Sequence, residues 1–156
     1  MDGIQRYICK QQQDVFGEVA AKGYELYAFA DAFLKSSFCN RSIDKPYSVD
    51  QFADTGDWFD FLERDGECVL VPTQDPFPVH VAKWLGFVYR QLHIETGISS
   101  RELAHLVPIR RLAVSYPGLH TLDEDMQVEI IRNDFGFSGE ILDCENVQIQ
   151  TKGITR

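Results

Sequence analysis

Residues 81–135 read VAKWLGFVYRQLHIETGISSRELAHLVPIRRLAVSYPGLHTLDEDMQVEIIRNDF, and their reading decides the fold. Val81, Trp84, Leu85, Val88 and Leu92 recur at the spacing that puts apolar side chains on one helical face. The stripe predicts a helix to about Thr96, closed by Gly97. Ser99 with Glu102 forms an S-x-x-E capping box, so a short helix follows to Val107. Pro108 suits the start of another, where its missing N–H is not needed, and that helix should end before Pro117-Gly118. Thr121, with Glu124 three residues on, predicts the cap of a last helix striped by Leu122, Met126 and Ile130. Asp123, Glu124 and Asp125 in its first turn suit the positive end of the helix dipole. Trp84, Val88, Leu92, Met126 and Ile130 are expected to be buried together.

Outward from this stretch, the N-terminal part is also helical in pattern. Ile4, Tyr7, Ile8, Val15 and Val19 predict a helix over 3–21, ended by Gly23. Leu26, Ala30, Phe33 and Leu34 predict a second over 24–37, with a short turn or helix over 38–44 before Pro46 forbids continuation. Asp54-Thr55-Gly56-Asp57 reads as the cap of a helix that ends at Asp65-Gly66. Cys68 to Pro72 is one strand or an extended connector, and Asp75-Pro76-Phe77-Pro78 is loop. Val147 to Thr151 alternates as a terminal strand would, with a loose tail as the alternative. The expectation is a mainly α, compact helical domain of five to seven helices with at most one small β element. It divides into N-terminal helices (1–65), a connector (66–80), a C-terminal helical part (81–136) and a tail or terminal strand (137–156).

Composition bounds what such a domain does. A 44% apolar, 25% charged chain of 156 residues is globular and long enough for a core without metal or disulfide staples. The net charge of −9 argues against general nucleic-acid binding, because phosphate backbones are repelled; it suits solubility or a basic protein partner. The many aromatics, Phe 11, Tyr 6 and Trp 2, leave rings available for an interface. Met1 to Arg6 lacks the basic start and apolar run of a secretory signal, and no stretch reaches the length of a membrane span, so a cytoplasmic location is expected. In a reducing cytosol, Cys9, Cys39, Cys68 and Cys144 are expected as free thiols.

No motif names a chemistry. His80, His93, His105 and His120 form no HExxH, no Cys/His pair has zinc-ligand spacing, and GxGxxG, GxxxxGK[ST] and GxSxG are absent. Neither a metal nor a cofactor is expected. Cys39, followed by Arg41, is a candidate nucleophile only if a base joins it in the fold; the plainer reading is a buried structural thiol. His120, just before the last helix, reads as a turn-fixing side chain or a second member of such a site. Asn40, Arg41 and Asp44 form a polar knot among aromatic residues, either a brace between helices or an anchor for a partner. Arg41 and Asp44 stand three apart, as a helical pair would. One of Asn40 and Arg41 is expected to bond backbone from another segment, around His120. Residues 98–118, two short helices carrying Arg101, Arg110 and Arg111, imitate a DNA-reading helix-turn-helix, without the usual glycine at the joint.

Three segments carry a family resemblance: Ser37-Phe38-Cys39-Asn40-Arg41-Ser42-Ile43-Asp44, Lys83-Trp84-Leu85-Gly86-Phe87-Val88-Tyr89-Arg90, and Gly118-Leu119-His120-Thr121-Leu122. They resemble the S-x-F-C-N-R, W-[IL]-G-[FY]-x-Y-R and LHT segments of a small uncharacterised bacterial family of helical proteins. Genes of that family tend to lie beside genes for ADP-ribosyltransferase-like toxins. The resemblance spans about residues 24–136 and implies a toxin–antitoxin or defence module. It adds Tyr89 and Arg90 to Asn40, Arg41, Asp44 and His120 as partner-binding or bracing residues. The expected function is therefore a protein-binding module, an antitoxin or accessory protein that neutralises an ADP-ribosyltransferase-like toxin. The alternatives are a DNA-binding autoregulator using residues 98–118, and a small enzyme with a site around Cys39 and His120.

Overall fold

The computed structural model describes residues 1–137, and these are helical with no strand among them. The helices are α1 (Gly3–Ala21), α2 (Leu26–Leu34), α3 (Thr55–Arg64), α4 (Val79–Thr96), α5 (Ser100–Leu106), α6 (Ile109–Val114), α7 (Tyr116–Leu119) and α8 (Glu124–Asp134). Six of them reach seven residues or more, within the expected range. A π-helical turn, Cys39–Ile43, and a 3-10 turn, Val49–Phe52, lie between α2 and α3. Side-chain caps explain most of the starts. Asp2 and Gln5 close a reciprocal capping box on α1. Asp54 caps α3, and Ser99 caps α5 by accepting from the Glu102 N–H at 3.1 Å. Gly97, at φ +76°, ends α4 in the left-handed conformation that glycine adopts freely.

The centre is an antiparallel pair, α1 against α4. Gly17 sits beside Lys83 and Gly86 beside Gln12, and the approach is close: a Cβ at Gly86 would lie 2.6 Å from the Gln12 carbonyl oxygen. Beneath α1, α2 and α3 build an aromatic core in which Phe16 meets Phe29 and Phe33 edge-on and Phe33 stacks on Trp58. Trp58, Phe16, Phe29, Phe33 and Phe38 are all fully buried, so much of the aromatic content is spent in the core.

Several expectations are corrected. Met126 is 48% exposed, and Trp84 and Ile130 are only partly buried, beside fully buried Val88 and Leu92. α8 starts later than expected, at Glu124, capped by Asp123, which accepts from the Met126 N–H at 2.9 Å, and Leu122 lies before the helix. The face turned inward is Gln127, Val128 and Ile131. The helix that follows Pro108, α6, does end before Pro117-Gly118, at Val114, but those two residues then lie inside the short α7, with Pro117 in its first turn. The second helix is shorter than expected because Glu25, whose carboxylate accepts from Tyr27 N and Ala28 N, acts as its cap. Residues 68–72 take the connector form. One bridge joins Tyr24 and Pro72, with Glu25 N donating to Val71 O and Thr73 N to Gly23 O. The terminal strand expected at Val147–Thr151 lies outside the described residues.

Candidate functional site

Arg90 points from α4 into the core and is 1% exposed. Four of its five N–H groups are used. Nε donates to Gln12 Oε1 at 2.9 Å, Nη1 to Asp44 Oδ1 at 2.7 Å, and Nη2 to Ser100 Oγ at 2.9 Å and Cys39 Sγ at 3.2 Å. Asp44 also accepts from Ser100 Oγ at 2.6 Å and from the Ser100 N–H at 2.9 Å. One guanidinium thus fastens α1, the π-turn and the start of α5 to α4. Burial alone would raise the Asp44 carboxyl, but the Arg90 charge, then His93, and bonds from Arg90 and Ser100 outweigh it and hold Asp44 below its usual value. His93 lies across the same carboxylate, its ring nitrogens 2.7 Å from Ile98 O and 3.1 Å from Asp44 O. Burial, then the neighbouring Arg90, holds its imidazole below the usual value.

The π-turn is what aims Asp44 at Arg90. Its widened ring, closed by Asp44 N to Cys39 O at 2.8 Å, changes the helical phase, so Asp44 does not pair with Arg41 as an ordinary helix would allow. Glu67, from the connector, holds the turn's entry by accepting from Ser37 N at 2.8 Å, Ser37 Oγ at 3.0 Å and Phe38 N at 3.3 Å. Those bonds overcome its partial burial and keep the Glu67 carboxyl below its usual value.

Over this network opens a cavity of about 350 Å3, with Asp44, Arg90 and His93 on its polar side and Ile4, Ile8 and Ile94 on its apolar side. Gln51 also lines it. Its amide nitrogen donates to Ile43 O at 2.9 Å and Lys45 O at 2.8 Å, while its Oε1 is buried without a partner among the described residues. Of its lining, Ile4 and Tyr47 are exposed, and so are Tyr7 and Phe52, the chain neighbours of the lining residues Ile8 and Gln51. Ile4, Tyr7, Tyr47 and Phe52 are 40%, 43%, 69% and 49% exposed, and the Tyr7 and Phe52 rings stack at 5.9 Å. Tyr47 has a backbone φ of +61°, a left-handed conformation that costs a bulky residue energy.

The remaining residues singled out in the sequence are spread apart. Neither Asn40 nor Arg41 reaches backbone near His120: Asn40 is exposed, and Arg41 Nη2 meets Asp65 Oδ2 at 3.2 Å on the surface. Tyr89 donates its hydroxyl to Val107 O inside the core. Cys39 is fully buried, and burial pushes its thiol up to about 11, against the opposing field of Arg90. His120 is exposed, stacked on Tyr116 at 4.1 Å, with Nδ1 2.8 Å from Tyr116 O. Cys39 and His120 therefore sit in different environments with no shared partner. Arg101 donates to Lys35 O at 2.7 Å, Arg110 lies 4.1 Å over the Tyr27 ring, and Arg111 lies 4.6 Å over Phe135. Arg101 and Arg110 are engaged by α2 and its C-cap residue, and Arg111 by the C-cap residue of α8. Among the described residues no three His, Cys, Asp or Glu side chains gather as metal ligands, and no helix is long and apolar enough to cross a membrane.

Sequence reading missed Gln12, Gln51 and Ser100, whose roles depend on neighbours far along the chain. The one signal available was polarity at positions inside otherwise apolar helical stripes. No family model, curated protein or solved structure matches the chain.

Proposed function

We propose that the chain is a protein-binding module, an antitoxin or accessory protein that neutralises an ADP-ribosyltransferase-like toxin in the bacterial cytoplasm and performs no chemistry itself. The word toxin comes from the resemblance of the three sequence segments. The single observation that supports binding is a set of exposed apolar side chains, Ile4 and Tyr47 lining a cavity and Tyr7 and Phe52 beside lining residues in sequence. Exposed aromatic side chains beside a pocket are the usual anchors of an interface. The orphaned Gln51 Oε1 offers an acceptor to a donor brought by a partner. The charge of −9 speeds encounter with a basic partner.

The test is co-expression with an ADP-ribosyltransferase-like toxin encoded beside the chain's own gene. Growth arrest by the toxin should be relieved, and the two proteins should purify together. Tyr47→Glu with Phe52→Glu should abolish both effects while leaving the helical circular dichroism unchanged, since both side chains are outside the core. Arrest that is not relieved, with no complex recovered, sinks the proposal. Retention of the chain's own promoter DNA at physiological salt would instead favour the autoregulator.

A further inference from the structure

A second cavity, of about 490 Å3, opens beside Arg6 and Lys10 of α1, with Lys83 and Trp84 of α4 and the Tyr116–His120 pair completing it. Its charge opposes that of the molecule. Arg6 is clamped on Glu124 by bonds of 2.9 and 2.8 Å, so that pair cancels. Lys10 and Lys83 are exposed and form no ion pair with a carboxylate among the described residues. The cavity thus keeps two unbalanced positive charges on a chain of net −9.

Its rings are held in place. Tyr116 and His120 are parallel to within 9°, and Trp84 meets Tyr116 edge-on at 5.4 Å. The indole Nε1 donates to Gln127 Oε1 at 3.0 Å, which fixes its orientation. Fixed, partly exposed rings offer planar faces that any nucleobase can use, and lysines supply the charge a phosphate needs. The volume falls within the range of small-molecule sites.

We propose that this cavity binds a nucleotide, its base against the Trp84–Tyr116–His120 rings and its phosphate held by Lys10 and Lys83. The net negative charge repels a long phosphate backbone but not one compact ligand seated in a local positive field. The site is separate from the apolar surface around Tyr47 and does not depend on the protein-binding reading.

Trp84 reports on it directly. The other tryptophan, Trp58, is fully buried in the aromatic core. Titration of the purified chain with adenosine 5′-monophosphate at low salt should change tryptophan fluorescence saturably. Adenosine alone and inorganic phosphate alone should each bind at least about tenfold more weakly. Lys10→Glu with Lys83→Glu should weaken the nucleotide at least about tenfold, at unchanged helical circular dichroism. Trp84→Phe should remove the signal while equilibrium dialysis still detects the nucleotide. The proposal is overturned by no saturation up to about 10 mM, by phosphate binding as tightly as the nucleotide, or by charge reversal that leaves affinity unchanged.

Discussion

Arg90 is the residue on which the described structure depends most. A guanidinium removed from water is tolerated only because Asp44, Gln12, Ser100 and Cys39 take up its N–H groups. Removing either charge alone leaves the other buried and unpaired. Arg90→Met should therefore destabilise the protein by about 3–5 kcal/mol in urea unfolding; a loss below about 1 kcal/mol would show that the network contributes little. The same pair sets an acid limit. Because folding lowers the Asp44 pKa, its contribution is complete above the unfolded carboxylate value of about 3.9 and is lost as pH falls through the lower folded value. Asp44→Asn should be less stable at neutral pH, with the gap to the parent narrowing below about pH 4. Both residues stand in segments singled out in the sequence, yet their pairing was not legible. They lie 46 positions apart, and the expected local partner of Asp44 was Arg41.

At the scale of elements, periodicity located the helices and capping fixed their ends. α1 over 3–21 and the closure of α4 at Gly97 were legible because their apolar spacing and terminal residues agree. The start of α8 was misplaced because two cap signals compete within three residues, Thr121 and Asp123. The structure makes the distinction measurable. Asp123→Ala should cost about 1 kcal/mol, the loss of a side-chain cap, whereas Thr121→Ala should change stability by no more than about 0.5 kcal/mol. Equal losses, read by thermal unfolding, would put the cap at the wrong residue. A short turn or helix was legible over 38–44, but its π form was not. Its extra residue is stabilised by contacts with Glu67 and Arg90, and a local pattern carries no trace of either.

Taken as a whole, the molecule protects two of its thiols. Cys9 and Cys39 are fully buried, and burial pushes them up to about 12 and about 11, whereas Cys68 is only partly buried. In a native thiol-labelling time course, Cys9 and Cys39 should react only at the rate of unfolding, well after Cys68. Fast labelling of Cys39 in the folded protein would revive a reactive role for it. The mainly helical architecture was legible from the sequence, whereas the cavities were not, since both form where α1 meets parts of the chain made much later.

That arrangement has a consequence for synthesis. Gln12 bonds a residue 78 positions further on, and α1 has α4 as its principal neighbour. At a translation rate of about 5–20 residues per second, Gln12 is joined to the chain roughly 4–16 s before Arg90 is added. For that interval the face of α1 around Gln12 and Gly17 lacks the helix against which it packs. The newborn α1 must therefore wait, with that face open to water or to any other binding surface, until the second half of the chain has been made.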